Sequence, residues 1–163
     1  MPDLVVADSG PLIALARVQL LTVLPKLFGR VAVPSAVWEE VTSGAAQGRA
    51  GAADVQSADW VDVVVAPPSL AAAYALLVDR GEAEALAYAS ENTDALLLID
   101  DRRGRRVAAQ LGLAHRGTAG LLVQARRLGV FPELRPVLEA LARAGVYIAP
   151  AVLERALREV GEE

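Results

Sequence analysis

Two short, uninterrupted apolar runs, each followed at once by aspartate, constrain the fold of this chain most. Residues 4–7 precede Asp8, and residues 96–99 precede the pair Asp100 and Asp101. A strand has a continuous apolar sequence when both of its faces are covered, as in a parallel sheet. The two runs therefore predict buried parallel strands that both end in acidic residues.

The rest of the chain continues an alternation of strands and helices. We expect Ser9, Asp101 and Thr118 to cap the helices that follow the first, fourth and fifth strands. Strands joined through helices at this spacing form a parallel sheet that is covered on both faces. The other strands are predicted at residues 31–33, 60–65 and 113–115, and further helices at residues 35–41, 69–78, 82–91, 102–111, 119–128, 133–143 and 151–160.

This order of elements predicts the α/β class, as a three-layer α/β/α sandwich with a central parallel sheet. At 163 residues we expect one domain over residues 1–163, with residues 131–163 as a C-terminal helical extension. Residues 42–54 contain three glycines among small and polar residues, so we predict a surface linker or lid there.

Composition excludes several kinds of site. The chain has no cysteine and a single histidine, His115, so a disulfide framework, a thiolate zinc site and a histidine-rich metal site are all excluded. Any bound metal must be a hard cation held by oxygen. No apolar stretch reaches the ~20 residues of a membrane-spanning helix, and the N-terminus lacks a secretory signal. We expect a cytoplasmic protein with no membrane partner.

Asp8, Asp100 and Asp101 are expected to meet at one edge of the sheet. Ligands of open parallel sheets bind beyond the carboxyl ends of the strands, and all three aspartates directly follow predicted strands. Aspartate is also favoured as a helix cap whatever the function, which explains each residue taken alone. Their convergence is what indicates a site.

Helix geometry selects two glutamates that can join these aspartates. Glu40 lies at the margin of the apolar face of its helix, whereas Glu39 points nearly away. Glu82 shares a face with apolar positions of the next long helix, whereas Glu84 lies opposite and is expected to be a solvated surface acid. The helix dipole also favours a carboxylate in the first turn, which is a structural explanation for Glu82.

Crowded carboxylates repel one another unless a cation lies among them. Mg²⁺ and Mn²⁺ prefer such oxygen ligands and can activate water on a phosphodiester. Although the net charge is −4, residues 102–132 contain seven arginines and no acid. Arg102, Arg103 and Arg106 lie within about one turn of the acidic pair and can bind a phosphate; the alternative is a solvated helix surface. Together these residues predict a nuclease-type site.

Several segments together resemble a bacterial and archaeal subgroup of PIN-domain proteins, a superfamily that includes the VapC toxins. The segments are VVADSGPLIAL, VAVPSAVWEEV, DRGEAEALAYA, LLLIDDRRGRRVAAQLGL and GTAGLLVQARRLG, which cover roughly residues 3–130. The resemblance implies an α/β/α fold and, as in many PIN domains, a Mg²⁺- or Mn²⁺-dependent ribonuclease with an acidic site.

The resemblance also assigns residues. The first acid maps to Asp8, the second to Glu40, the third to Glu82 and the last to Asp100 or Asp101, with the choice between these two open. The familiar PIN helix begins with aspartate, so Glu82 would be a longer ligand by one methylene. The implied catalytic residues are Asp8, Glu40, Glu82, Asp100 and Asp101. The implied metal ligands are Asp8, Glu40, Asp100 and Asp101. The implied substrate-binding residues are Ser9, Arg102, Arg103, Arg106 and Thr118.

The implied function is a metal-dependent endoribonuclease, the toxin of a toxin–antitoxin pair. The alternative is a PIN-like module that binds RNA or a protein without cutting. Apolar residues between Leu121 and Val152 are more numerous than we expect one small core to need. We therefore expect part of this surface to be buried in a homodimer or beneath an antitoxin segment.

Overall fold

One parallel sheet of five strands organises the computed structural model, which describes residues 2–43 and 51–163. The strands lie in the order β3-β2-β1-β4-β5, and every neighbouring pair is parallel. They are β1 (Leu4–Ala7), β2 (Val31–Pro34), β3 (Val61–Val64), β4 (Ala95–Leu98) and β5 (Ala114–Arg116). The predicted α/β class with a central parallel sheet is confirmed.

Helices cover both faces of this sheet. Within the described residues they are α1 (Ser9–Arg17), α2 (Val23–Phe28), α3 (Ser35–Thr42), α4 (Ala52–Gln56), α5 (Pro68–Tyr74), α6 (Arg80–Ser90), α7 (Arg102–Gln110), α8 (Thr118–Arg127), α9 (Arg135–Arg143) and α10 (Pro150–Glu159). None of these described helices is both long enough and apolar enough to cross a bilayer.

The alternation of side chains along each strand divides the interior into two cores. Val5 and Ala7 of β1 pack in one core with α1, α3 and α8, whereas Val6 packs in the other with α6 and α7. In β4, Leu96 and Leu97 divide in the same way. Because successive side chains of a strand point to opposite faces, each four-residue strand supplies both cores, and three layers result.

The C-terminal helices pack on the first of these cores. Leu134, Leu141 and Ala156 are buried in it. A carboxylate near the C-terminus also holds this region together, because Glu162 accepts hydrogen bonds from the backbone N–H groups of Leu134 at 2.7 Å and Arg135 at 2.9 Å.

The sequence predicts more apolar side chains in this region than one core needs, and this prediction is wrong for most of them. They fill the chain's own core, whereas Leu128 is exposed and Val137 and Val152 are half-buried. The buried ones are Leu121, Leu122, Val123, Leu134, Leu138 and Leu141. This apolar surface is buried within the chain itself, because the C-terminal helices pack against α8 and the sheet.

Two of the predicted helix caps are wrong. The N-cap of α1 is Asp8, and Ser9 is its first helical residue. The N-cap of α8 is Gly117, and Thr118 is its first helical residue. Thr118 directs its hydroxyl to Asp100 instead of to its own helix, so a long-range partner replaces the local one.

Helix α6 begins at Arg80, two residues before its predicted start. Asp79 caps it by accepting a hydrogen bond from the backbone N–H of Glu82 at 2.9 Å. The short helices α2 and α4 are not predicted from the sequence. Helix α4 begins in the predicted linker at residues 42–54 and ends beyond it at Gln56. Residues 44–50 of this linker lie outside the described residues.

Candidate functional site

Asp8 lies buried at the carboxyl edge of the sheet, directly after β1. Its backbone N–H continues the ladder to β4 and donates to the carbonyl of Leu98 at 2.9 Å. Only 4% of Asp8 is exposed, Oδ1 has no hydrogen-bond partner among the residues that the structure describes, and the side chain makes no capping bond to α1. A buried carboxylate oxygen without a partner costs free energy, so helix capping does not account for this side chain.

The pKa of the Asp8 carboxyl shows which acids lie near it. Burial raises the pKa of the Asp8 carboxyl from 3.8 to about 7; the backbone N–H of Ser9 opposes this shift, and the carboxylates of Asp79, Glu40 and Asp100 add to it. Four acids from distant parts of the chain are therefore close enough to repel one another. Such crowding favours the binding of a cation.

Asp100 is held in place by the start of α8. The backbone N–H of Thr118 donates to Oδ1 at 2.7 Å, and the Thr118 hydroxyl donates to Oδ2 at 2.6 Å. Two glycines leave the space that this carboxylate occupies. A Cβ at Gly117 would lie 2.9 Å from Oδ1, and one at Gly10 would lie 3.3 Å from Oδ2.

Asp101 performs the predicted capping role. Its Oδ2 accepts a hydrogen bond from the backbone N–H of Gly104 at 2.9 Å, as the N-cap of α7. One oxygen of this carboxylate is thereby committed to the helix, while both oxygens of Asp100 are bonded to α8. The neighbouring aspartates thus face different helices.

Glu40 projects from α3 to the start of α6. Its Oε2 and the Oδ1 of Asp79 lie 3.3 and 3.8 Å from the position that a Cβ at Gly81 would take. Glu40 is exposed but borders the acids that surround Asp8. Glu39 instead lies 3.9 Å from the guanidinium of Arg80. The helix-face argument for Glu40 over Glu39 agrees with this placement.

Glu82 is buried on the inner side of α6, with 8% of its surface exposed. Burial raises the pKa of its carboxyl from 4.5 to about 9, and a hydrogen bond to the Asp79 side chain and the charges of Asp79, Asp101 and Asp8 add to the shift. Its Oε2 lies 3.1 Å from the position of a Cβ at Gly104. In the metal-free protein Glu82 is therefore protonated at neutral pH.

The expectation of a solvated Glu84 is wrong. Its Oε1 accepts a hydrogen bond from the backbone N–H of Ala36 at 3.0 Å and lies 3.3 Å from the Ser35 hydroxyl, while its Oε2 lies 3.4 Å from Arg80. Glu84 thus satisfies the first turn of α3, which has no cap of its own. Helix periodicity could not find this, because the partner lies on another helix.

Two cavities border the acids on either side of the start of α7. The first measures about 690 Å³ and is lined in part by Asp100, Thr118, Arg102, Arg105 and Arg106. The second measures about 630 Å³ and is lined in part by Asp79, Glu82, Asp101, Arg102, Arg103 and Arg106. Within the described part of the chain none of these arginines forms a salt bridge. Their charges can therefore bind a phosphate.

The family follows from a comparison with protein-family models. Residues 4–162 match a family model, DUF3368, whose description is PIN domain. The chain belongs to the PIN-domain family. Neither the curated proteins nor the solved structures gave a match. The PIN domain is a nuclease-type fold, and in this one the crowded acids lie at the carboxyl edge of the sheet, where open parallel sheets bind ligands.

The sequence analysis of this PIN domain missed Asp79. The resemblance implied an aspartate at the start of this helix, and Asp79 stands there as the N-cap of α6, directly before its first helical residue, Arg80. The helix was predicted to start at Glu82, which left Asp79 outside it. The sequence DRGE carried the signal, since aspartate three residues before glutamate at a helix start is a capping pattern.

The acids of this PIN domain fit a divalent cation by their chemistry. As the side chains stand, no three carboxylate or imidazole groups of the described residues are arranged to hold a metal ion. The available donors are nevertheless carboxylate oxygens, as Mg²⁺ and Mn²⁺ require, and Asp8 presents a buried oxygen without a partner. Asp8, Glu40 and Asp100 are the residues that could hold such an ion, because their charges act on one another.

Proposed function

We propose that this PIN domain is a metal-dependent endoribonuclease that hydrolyses RNA phosphodiesters with Mg²⁺ or Mn²⁺. The observation that carries the proposal is the buried carboxylate of Asp8, whose Oδ1 has no hydrogen-bond partner among the described residues and which lies among the acids Asp79, Glu40 and Asp100. Arginines that form no salt bridge within residues 2–43 and 51–163 border the same acids. A cation site next to a phosphate site is what phosphodiester hydrolysis requires.

The acids have different tasks in this proposal. Asp8, Glu40 and Asp100 hold the ion, and Asp101 contributes through its second oxygen while its first caps α7. A divalent ion bound there supplies charge neutralisation at the phosphate and activation of water. Glu82 is buried beside these acids, and its backbone N–H orients Asp79 by donating to Oδ1 at 2.9 Å.

The remaining side chains bind and orient the substrate. Thr118 holds the Asp100 carboxylate with two hydrogen bonds. Arg102 and Arg106 line both cavities and Arg103 lines the second, so phosphates on either side of the cut can be bound. Ser9 presents its backbone N–H to Asp8, and in this proposal its hydroxyl contacts the substrate.

The proposal is tested by incubating the pure protein with RNA in Mn²⁺, and in EDTA as a blank. Asp8→Asn keeps the shape of the side chain and should lower cleavage by more than the about 10- to 100-fold that the loss of an outer-shell partner costs. The matched control is Asp94→Asn, because Asp94 is exposed and precedes β4 at the opposite end of the strand. Equal cleavage by wild type and Asp8→Asn would remove the proposed site.

A binding module is the second candidate, and one observation favours it. No three acids of the described residues are already arranged around a metal position. A protein that binds RNA with equal affinity in EDTA and in Mn²⁺, and cuts it in neither, would be such a module.

The biological setting is also a proposal. An RNA-cutting activity of this kind would act in the cytoplasm as the toxin of a toxin–antitoxin pair. Apolar side chains at Val65, Leu76 and Leu77 are exposed, which supports a homodimer contact or an antitoxin contact on that side.

A further inference from the structure

The cavity of about 690 Å³ beside Asp100 extends well beyond the acids. Its walls come from the start of α7, the turn between β5 and α8, the segment that joins α9 to α10, and α10 itself. The volume lies within the range of about 300–1,000 Å³ that is typical of ligand sites. Of the acids assigned to the hydrolysis above, Asp100 alone lines this cavity, so most of its walls have no role in that reaction.

Positive charge dominates the walls of this cavity. The arginines that line it are Arg102, Arg105, Arg106, Arg116 and Arg155. Its acids are Asp100 and Glu159, and Glu159 lies 3.9 Å from both Arg127 and Arg155. Arg155 is itself largely exposed, so this distant ion pair leaves its guanidinium accessible. The cavity is therefore suited to an anion, and arginine is well suited to phosphate.

Tyr147 contributes an exposed aromatic ring to the same cavity. It lies in the segment between α9 and α10, and 83% of its surface is exposed. Trp38, Trp60 and Phe131 instead pack against the core. Bases of unpaired RNA stack on exposed aromatic rings, whereas the bases of a duplex are already stacked on each other.

We propose that this cavity binds one unpaired nucleotide of the RNA next to the cut, with its base stacked on Tyr147 and a phosphate bound by Arg105 and Arg155. The inference rests on the proposed function, because it takes RNA to be the substrate. It gives the C-terminal helices a part in substrate selection, since they supply both Tyr147 and Arg155.

The stacking contact is tested by equilibrium binding of a short fluorescent oligoadenylate in EDTA, where metal-dependent cleavage is blocked. Tyr147→Ala should weaken binding by about 5- to 150-fold, the range that one base–aromatic stack supplies. Tyr147→Phe keeps the ring and should bind like wild type, while Tyr147→Leu keeps apolar surface without a ring and should resemble Tyr147→Ala. With abasic nucleotides in the oligomer, Tyr147→Ala should have no effect, because no base remains to stack.

The phosphate contact has its own readout. Arg155→Ala should weaken binding and reduce the slope of log affinity against log salt by about 0.7, the amount that one phosphate contact contributes on a single strand. Arg158→Ala is the matched control, because Arg158 lies on α10 but does not line the cavity and forms a salt bridge with Glu163 at 2.7 Å.

The possible outcomes separate this inference from the proposed function. If the wild type cuts RNA in Mn²⁺ but Tyr147→Ala and Arg155→Ala bind the oligomer normally, the subsite is wrong and the nuclease stands. If the wild type neither binds nor cuts RNA, both are wrong. If a polyglutamate peptide displaces the oligomer at lower concentration than unlabelled RNA does, the cavity is a site for an acidic protein and the inference is overturned.

Discussion

Thr118 holds both oxygens of the Asp100 carboxylate, one through its backbone N–H and one through its hydroxyl. Thr118 is 2% exposed at the start of α8, so the donor pair is fixed by the packing of that helix. The loss of a partner that orients a metal ligand typically lowers metal affinity or activity about 10- to 100-fold. We therefore expect Thr118→Val to raise the Mn²⁺ concentration needed for half-maximal RNA cleavage by about that factor.

The control for this substitution is Thr118→Ser, which keeps the hydroxyl and should stay close to wild type. Both variants should melt within a few degrees of wild type. An unchanged Mn²⁺ dependence in Thr118→Val would show that Asp100 does not act through the ion.

In the absence of metal, the free energy of unfolding should fall as pH rises and Asp8 ionises. The pKa of Asp8 is about 7 in the folded protein against 3.8 for the ordinary group, so the folded state binds this proton more tightly than the unfolded state. The stabilisation that this pKa difference provides is complete at pH values below the pKa of the unfolded state. It falls as pH rises between the two pKa values and no longer changes above the pKa of the folded state. At 1.36 kcal/mol per pKa unit, the difference between the two pKa values corresponds to at most about 4 kcal/mol of stabilisation.

Thermal unfolding in EDTA measures this contribution. Asp8→Asn cannot ionise, so its advantage in free energy of unfolding over wild type should grow between pH 4 and pH 7. Asp94→Asn, an exposed control, should show no such trend. A constant difference between Asp8→Asn and wild type across this range would mean that the proton on Asp8 does not distinguish folded from unfolded protein.

Gly104 is required by the close packing of α7 on Ile99, the residue that follows β4. A Cβ there would lie 2.5 Å from Cδ1 of the fully buried Ile99 and 3.1 Å from Oε2 of Glu82. Gly104→Ala should therefore destabilise the protein by about 1–3 kcal/mol, the usual cost of overpacking. Urea unfolding measures the difference.

Gly120 in α8 is the matched helical glycine for this experiment. A Cβ there would lie 2.9 Å from Cγ of Arg116, so this half-buried side chain must shift, whereas the obstacle at Gly104 is a fully buried core residue. Alanine also favours helix over glycine by about 1 kcal/mol, so Gly120→Ala should destabilise the protein less than Gly104→Ala does. Equal destabilisation by both substitutions would contradict the packing argument.

The exposed side chains next to the second cavity provide a test of self-association. Leu76 is 87% exposed and Leu77 52% exposed, and we expect a dimer by light scattering at micromolar concentrations. The double substitution of Leu76 and Leu77 by glutamate should give a monomer, while Leu128→Glu, at an exposed position after α8, should not. A wild-type protein that is monomeric throughout this range would exclude the homodimer.

The sequence by itself determined the strands and the acids that follow them. A four-residue apolar run is a local pattern, and parallel strands place the residues after them at one edge whatever the helices do. Asp8 and Asp100 could therefore be placed together without coordinates. The inward position of Glu82 was also local information, because it depends only on helix periodicity.

Only the tertiary structure decided which residues meet between elements. Asp79 enters the acidic group because α6 begins earlier than its apolar pattern suggests, Glu84 bonds to α3, and Thr118 bonds to Asp100. Tyr147 joins the arginines of α7 because the C-terminal helices fold back to the site. Local periodicity specifies which face of a helix is buried, but the neighbour that this face meets depends on how the helices pack on the sheet, and that is set by contacts between distant parts of the chain.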